Sequence, residues 1–385
     1  MFNFDFYNPT KLMFGQGRIA DIAGEIPPGA KVLITYGGGS IKSNGVYDQV
    51  MAALKGYELI EFSGIEPNPV YETLMQAVDL VKERGIDFLL AVGGGSVIDG
   101  TKFIAAAAVH PGDPWEIVLS RGTAARGALP LGAVLTLPAT GSESNYRAVV
   151  TRQAMNAKIS FYSDFFFPRF AVLDPVTTYS LPPVQISNGV VDAYMHVLEQ
   201  YLTYPVNARV QERISEGLLL TLIEEGPRAL ADPTNYEVRS NIMLCATLAL
   251  NGLISSGVPT DWSTHMVGHE LTALYDIDHA ATLAVLLPGM LQVTREEKRL
   301  RLLQYAHRIW GLTEGDEDER ITAAIEKTRE FFELMQMKTC LQDLGLTADN
   351  IPEIIASLES HDMVRLGENK NVTPEKVRQA LELCL

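Results

Sequence analysis

Through its first 175 residues the chain repeats one pattern: a short apolar run, then a turn, then a helix-compatible stretch. KVLITYG (31–37) is followed by NGVYDQVMAALKG (44–56), and YELIEF (57–62) by ETLMQAVDLVKERG (72–85). DFLLAVGGGS (87–96) is followed by DGTKFIAAAAV (99–109), while GAVLTLPAT (132–140) and RFAVLDP (169–175) read as later strands. Strands separated by helices are joined by crossovers rather than hairpins, so they lie parallel. The expected fold class is therefore an α/β, doubly wound, Rossmann-like parallel sheet. From LPPVQISNG (181–189) the period changes to that of long helices, as in VVDAYMHVLEQYL (190–202), RISEGLLLTLIEEG (213–226) and ERITAAIEKTREFFELM (319–335). PEKVRQALELCL (374–385) continues it. The proline-bearing segment LDPVTTYSLPP marks the change, which predicts an α/β domain over 1–180 and an all-helical domain over 181–385.

Two of the strand-like runs end in the same tetrapeptide, Gly37-Gly38-Gly39-Ser40 and Gly93-Gly94-Gly95-Ser96. Glycines after a buried strand permit unusual backbone angles and leave amides exposed where the next helix starts. That arrangement favours a phosphate or pyrophosphate. Neither tetrapeptide is GxGxxG, and a tight turn without a ligand would explain one of them; two in matching positions favour phosphate binding. NAD sites place an acid near the adenosine ribose, where it would repel the 2′-phosphate of NADP. After LITY come Gly37, Gly38, Gly39 and Ser40 with Lys42 just behind, so a hydroxyl and an ammonium stand where an acid would be. The pattern predicts NADP(H).

Composition narrows the partners. Against 31 Lys+Arg stand 47 Asp+Glu, a formal charge of −16, and such a field repels nucleic acid. Apolar runs such as FIAAAAV (103–109) and LAVLLPGML (283–291) fall short of the ~18 residues that cross a bilayer. The opening residues lack the basic start and apolar core of a secretion signal. Three scattered cysteines, Cys245, Cys340 and Cys384, form no CxxC pair. They argue for a reducing compartment, with the cytoplasm as the expected location.

Four of the seven histidines are His196, His265, His269 and His279. Asp192 precedes His196 by four residues in a helical stretch, and His265 precedes His269 by four in WSTHMVGHELTAL, so each pair shares a helix face. His279 follows after YDIDHA. One such pair reads equally as a hydrogen-bonded helix pair. Two in register with a third histidine nearby point to a divalent ion, Fe²⁺ or Zn²⁺, in a catalytic rather than a thiolate structural site. Asp192, His196, His265, His269 and His279 are one donor more than a tetrahedral site needs. HMVGH is not HExxH, which argues against a peptidase.

The segments LLAVGGGSVIDGTKFIAAA, TLPATGSESN, NGVVDAYMHVLEQY and GVPTDWSTHMVGHELTALYDIDHA resemble the iron-containing, or group III, alcohol dehydrogenases. Within that family the chain is most similar to the NADPH-dependent butanol dehydrogenase and broad-specificity aldehyde reductase branch. The likeness runs from NPTKLMFGQG through SGIEPNP (63–69) to LGENKNVT (366–373). The resemblance implies a dinucleotide-binding domain followed by a helical metal-binding domain, the two-domain plan of dehydroquinate synthase. It selects Asp192, His196, His265 and His279 as metal ligands and leaves His269 near nicotinamide and substrate, a candidate proton donor. It assigns the pyrophosphate loop to Gly94, Gly95 and Ser96 with Asp99 beyond, and further cofactor contacts to Thr136, Thr140, Ser142 and Lys158. NAD-preferring members often carry Asp where Gly37 stands. Tyr146, Arg147 and the aromatic FYSDFFFPRF (161–170) depart from the pattern expected of the family and bear on substrate preference if they border the pocket. The implied activity is hydride transfer between NADP(H) and a short- to medium-chain aldehyde or primary alcohol, by a homodimer. The alternative is a dehydroquinate synthase-like lyase that uses NAD transiently. That reaction would need basic residues for a phosphorylated substrate, whereas NGVVDAYMHVLEQ and TDWSTHMVGHE are apolar and acidic.

Overall fold

A computed structural model describes residues 1–155 and 157–385. Strands β1 (Lys11–Phe14), β2 (Lys31–Thr35), β3 (Glu58–Phe62), β4 (Phe88–Gly94), β5 (Leu131–Leu137), β6 (Arg147–Arg152), β7 (Ala157–Tyr162) and β8 (Phe170–Leu173) all fall in the first half. Six of them form one sheet in the order β1-β8-β5-β4-β2-β3, and every pairing in it is parallel. The remaining two, β6 and β7, make an antiparallel ribbon.

Side-chain alternation explains why the sheet is covered on both faces. Leu33, Leu89, Ala91, Leu131, Ala133, Leu135, Ala171 and Leu173 point into one core cluster. Their neighbours Val32, Ile34, Phe88, Leu90, Val92, Val134, Phe170 and Val172 point into another. A strand apolar at every position, with period two, can bury both sets only between two helical layers. Helices α1 (Ser40–Ser43), α2 (Val46–Ala53), α3 (Tyr71–Arg84), α4 (Gly95–Val109) and α5 (Trp115–Leu119) supply this unit's covering segments.

Beyond residue 182 come α6 (Pro183–Tyr201), α7 (Arg209–Ala231), α8 (Tyr236–Ala249), α9 (Ser263–Tyr275) and α10 (His279–Val293). They are followed by α11 (Arg299–Arg308), α12 (Glu317–Leu334), α13 (Ile351–Ser360) and α14 (Pro374–Leu383). The chain divides into two compact units, but the division is not the single cut expected at 180/181. The α/β unit comprises Tyr7–Pro182 together with Pro233–Asn251, and the helical unit comprises Met1–Phe6, Pro183–Asp232 and Gly252–Leu385. The physical reason is polar anchoring. Buried Arg239 on α8 donates from Nε to Thr178 Oγ1 and from Nη2 to the Thr178 carbonyl, both at 2.8 Å. Thr247 on the same helix donates to Glu143 Oε1 at 2.6 Å. At the other end, the Phe2 amide donates to the Gly257 carbonyl at 2.9 Å. Among the described residues no helix is long and apolar enough to cross a membrane.

Candidate functional site

The α/β unit places both glycine tetrapeptides at one location. The chain runs from β2 outward to β3 and returns to β4 on the other side of β2. Connections therefore leave β2 and β4 in opposite directions, which opens the crevice that α/β sheets use for ligands at the carboxyl ends of their strands. Gly37–Ser40 follow β2, and Gly93–Ser96 span the end of β4 and the start of α4. Geometry forces glycine at Gly39, Gly93 and Gly95; a Cβ on Gly93 would come within 2.6 Å of Val97 Cγ2. Gly39 has φ +94°, and a Cβ on Gly95 would come within 2.4 Å of Thr140 Oγ1. Gly38 is different: φ is not positive there, and a Cβ would meet nothing within 4 Å among the described residues. No protein contact demands glycine at that point.

Under α4 lies a buried polar network. Ser142 donates to Asp99 Oδ1 at 2.5 Å, and the Val149 amide donates to Asp99 Oδ2 at 2.9 Å. Lys102, fully buried, donates to Ser142 Oγ at 2.8 Å, Asn145 Oδ1 at 3.0 Å and the Arg147 carbonyl at 2.7 Å. Burial pulls the Lys102 ammonium down to about 8 against the carboxylates of Asp99 and Glu143, and burial likewise raises Asp99 and Glu143. Thr140 Oγ1 accepts from the Ser142 amide at 3.2 Å, and Ser96 Oγ accepts from the Asn68 amide at 3.2 Å. Thr136 is buried at the end of β5, and Lys158 is buried on β7 opposite Thr151. Asp99 and Ser142 thus meet directly, with Gly95 packed on Thr140. Lys102 was not singled out from sequence; its signal is the one cation in a largely apolar helix, three residues after Asp99.

Lys42 is less isolated than the sequence indicated. Parallel register sets Glu61 of β3 opposite Ile34. Its Oε2 accepts from Lys42 Nζ at 3.1 Å and from Tyr36 OH at 2.7 Å, while Tyr47 OH donates to Oε1 at 2.6 Å. The tyrosine hydroxyls and the ammonium hold Glu61 below the usual carboxylate range, and contacts to Tyr36 and Glu61 raise Lys42. An acid does stand near the β2 turn, and its charge is already matched by Lys42. Tyr146 packs on Tyr162 and Phe167, with ring centroids 5.8 Å and 5.3 Å away, and the Arg147 guanidinium lies 5.5 Å from the Tyr146 ring. The departures from the family pattern form this cluster.

The helical unit gathers the other candidates. Asp192 and His196 are one turn apart on α6, His265 and His269 one turn apart on α9, and His279 begins α10. Around Asp192 Oδ1 stand His196 Nδ1 at 3.7 Å, His265 Nε2 at 3.9 Å and His279 Nε2 at 3.9 Å. These separations are too long for hydrogen bonds. They are slightly wider than the ~3.4 Å between ligands of a tetrahedral ion with bonds near 2.1 Å. Asp192, His265 and His279 each offer a donor atom within 4.8 Å of the other two. His196 joins this trio through Asp192 and stacks on His265 with centroids 4.7 Å apart. His269 lies alongside, its ring 5.0 Å from that of His279. Asp192 Oδ1 is buried and accepts no hydrogen bond among the described residues. A carboxylate oxygen in that position is costly unless a cation takes it, so the donor set fits a divalent ion.

Glu199, one turn beyond His196, was also missed. Its Oε2 contacts His265 Nδ1 and accepts from the His265 amide at 3.2 Å, and its Oε1 accepts from the Thr264 amide at 2.7 Å. Burial and the nearby Asp261 carboxylate raise Glu199, and the Thr264 and His265 amides counter that rise. Asp261 in turn binds Lys298 Nζ at 2.8 Å, and Glu368 binds the same ammonium at 3.0 Å. Trp262, between Asp261 and α9, is left-handed with φ 65°.

Comparison with known proteins places this geometry. Residues 9–175 match the iron-containing alcohol dehydrogenases, and residues 186–384 match the C-terminal region of the Fe-containing alcohol dehydrogenase family. The NADPH-dependent aldehyde reductase YqhD of Escherichia coli K12 is 57% identical over 384 residues, 99% of each chain. The crystal structure of E. coli K-12 YqhD has a TM-score of 0.99 to this chain at 56% identity, covering 100% of this chain and 99% of that one. A probable NADH-dependent butanol dehydrogenase 1 of Bacillus subtilis is 41% identical over 390 residues, 100% of both chains. An orphaned carboxylate ringed by imidazoles, glycine turns at a sheet switch point and end-to-end likeness agree: the chain belongs to the iron-containing alcohol dehydrogenase family.

Proposed function

We propose that this chain is a metal-dependent aldehyde reductase and alcohol dehydrogenase, transferring hydride between NADP(H) and short- to medium-chain aldehydes or primary alcohols. The observation that carries this reading is the convergence of three imidazoles on the orphaned Asp192 oxygen. Relatives named as an NADPH-dependent aldehyde reductase and a butanol dehydrogenase support the substrate class.

Bound to this chain, a divalent ion supplies Lewis acidity toward a carbonyl oxygen, and NADP(H) supplies or accepts the hydride. Asp192, His196, His265 and His279 hold the ion. Amides at the start of α4, at Gly95 and Ser96, with Gly94 before them, take the pyrophosphate. The Gly37–Ser40 turn with Lys42 takes the 2′-phosphate, and Asp99, Thr136, Thr140, Ser142 and Lys158 complete the cofactor surroundings. His269, buried beside His279, donates the proton that the product oxygen needs. Lys298, the cation behind the metal ligands, is already engaged by Asp261 and Glu368, which disfavours a phosphorylated substrate and the lyase reading.

Steady-state rates with butyraldehyde and NADPH or NADH, combined with metal analysis, test the proposal. NADPH should be preferred and activity should track bound metal. Full activity in metal-free protein, or equal efficiency with NADH, overturns the corresponding part. His269→Ala should lower turnover and leave metal content intact; metal loss in that variant would instead move His269 into the ligand set.

The proposed assembly is a homodimer. β1 is an outer strand of the sheet and exposes Leu12 and Phe14, and an apolar edge of that kind calls for cover. A monomer in light scattering would refute it. Cys245, Cys340 and Cys384, none of them in a disulfide among the described residues, support a cytoplasmic location.

A further inference from the structure

Glu199 touches one of the proposed ligands without being one. We infer that Glu199 is a positioning residue of the metal centre: it fixes the ring of His265 with its proton on Nδ1, so that Nε2 is presented to the ion, and thereby sets metal affinity. This role presupposes the metal site proposed above.

The two nitrogens of His265 face different partners. Nδ1 contacts Glu199 Oε2, while Nε2 lies 3.9 Å from Asp192 Oδ1. An imidazole that donates from Nδ1 and stays neutral carries its lone pair on Nε2, which is the form a metal takes. Rotation of the ring by half a turn would break the Glu199 contact, so the carboxylate fixes orientation as well as tautomer. The same carboxylate accepts the Thr264 and His265 amides in the first turn of α9, a helix whose N-cap residue Trp262 makes no side-chain capping bond. Backbone and ring of His265 are therefore held by one group. The backbone carbonyl of Glu199 accepts from the Asp261 amide at 2.9 Å, and Asp261 is locked to Lys298. Helix capping alone would account for the two amides; it gives no reason for the contact with Nδ1.

Chelator competition with Zn²⁺ and Co²⁺ on the wild type, Glu199→Gln, His265→Ala and the double variant tests the role. Glu199→Gln should weaken metal binding about 10–100-fold and alter the visible absorption of the Co²⁺ form. In the His265→Ala background the same change should add less than about twofold, because the imidazole through which Glu199 acts is gone. Unchanged metal affinity with a lowered Tm of the metal-free protein would reduce Glu199 to a helix cap. Equal losses in both backgrounds would show that it does not act through His265. Should Glu199→Gln fail to fold, Glu199→Asp keeps the charge but withdraws it by one methylene. It too should weaken metal binding, and wild-type affinity in it overturns the role. A wild type that binds no metal would sink the underlying metal site, an outcome distinct from all of these.

Discussion

The two units build their sites from opposite materials. In the helical unit the candidate centre is made of side chains: a carboxylate and imidazoles carried on α6, α9 and α10, with Glu199 behind them. In the α/β unit it is made largely of backbone, laid bare where side chains are missing at Gly38, Gly39 and Gly95. A side-chain site fails when atoms are removed. A backbone site fails when they are added, and the polar network beneath it matters chiefly for shape.

Asp192→Ala attacks the first kind of site most directly, since it deletes the carboxylate on which the imidazoles converge. Aldehyde reduction should fall by roughly a thousandfold with loss of bound metal, while NADPH titration reads whether the glycine turns are intact. Loss of cofactor binding in this variant would break the contrast.

Lys102 sharpens it from beneath the other site. Its folded value of about 8 lies below its ordinary 10.5. Between those values the unfolded chain holds a proton that the folded chain lacks, so rising pH favours folding across that window. The wild type should gain about 3 kcal/mol relative to Lys102→Met between pH 8 and 10.5 in denaturant melts, with no relative change below that window. A flat difference would mean that the ammonium is not desolvated.

The glycines themselves come next. Gly95→Val drives new atoms into Thr140 and should cost about 2 kcal/mol of stability. Gly38→Ala should leave thermal stability within about 0.5 kcal/mol and still weaken NADPH binding by roughly tenfold. If Gly38→Ala binds the cofactor as the wild type does, the open space before it is not a phosphate cradle. The smallest effect belongs to Lys42→Ala. An exposed ammonium already paired with Glu61 should change NADPH affinity a few-fold, leave NADH unaffected, and lose even that difference at high salt.

The architecture was legible because strands such as KVLIT and FLLAV are apolar on both faces, which forces covering helices whatever the topology. The metal candidates were legible because Asp192 and His196, and His265 and His269, sit at helical spacing; only the family resemblance proposed which histidine is spare. What stayed hidden depends on register or on distant partners. Glu61 reaches Lys42 only because β2 and β3 pair in parallel at Ile34 and Glu61. Glu199 stands three residues from His196 in an obvious helix, but its partner lies 66 residues away. The excursion of Pro233–Asn251 into the α/β unit rests on Thr247 and on Arg239, an ordinary-looking arginine that turns out to be buried and bonded twice to Thr178.

That excursion dictates a schedule for synthesis. When Pro182 leaves the ribosome the parallel sheet has all its strands, yet Arg239, the arginine that closes over Thr178, lies 57 residues further along the chain. Met1–Phe6 wait longer still, since Gly257, to which the Phe2 amide donates, emerges after α8 is complete. The α/β unit cannot finish until α6 and α7 of the helical unit have been translated, and the helical unit finishes only after the whole of the α/β unit. A nascent chain paused near residue 200 would hold a sheet without its last helix, a species to be sought in ribosome-bound intermediates and a reason why swapping either half as a single contiguous piece would strand a segment on the wrong side of the joint.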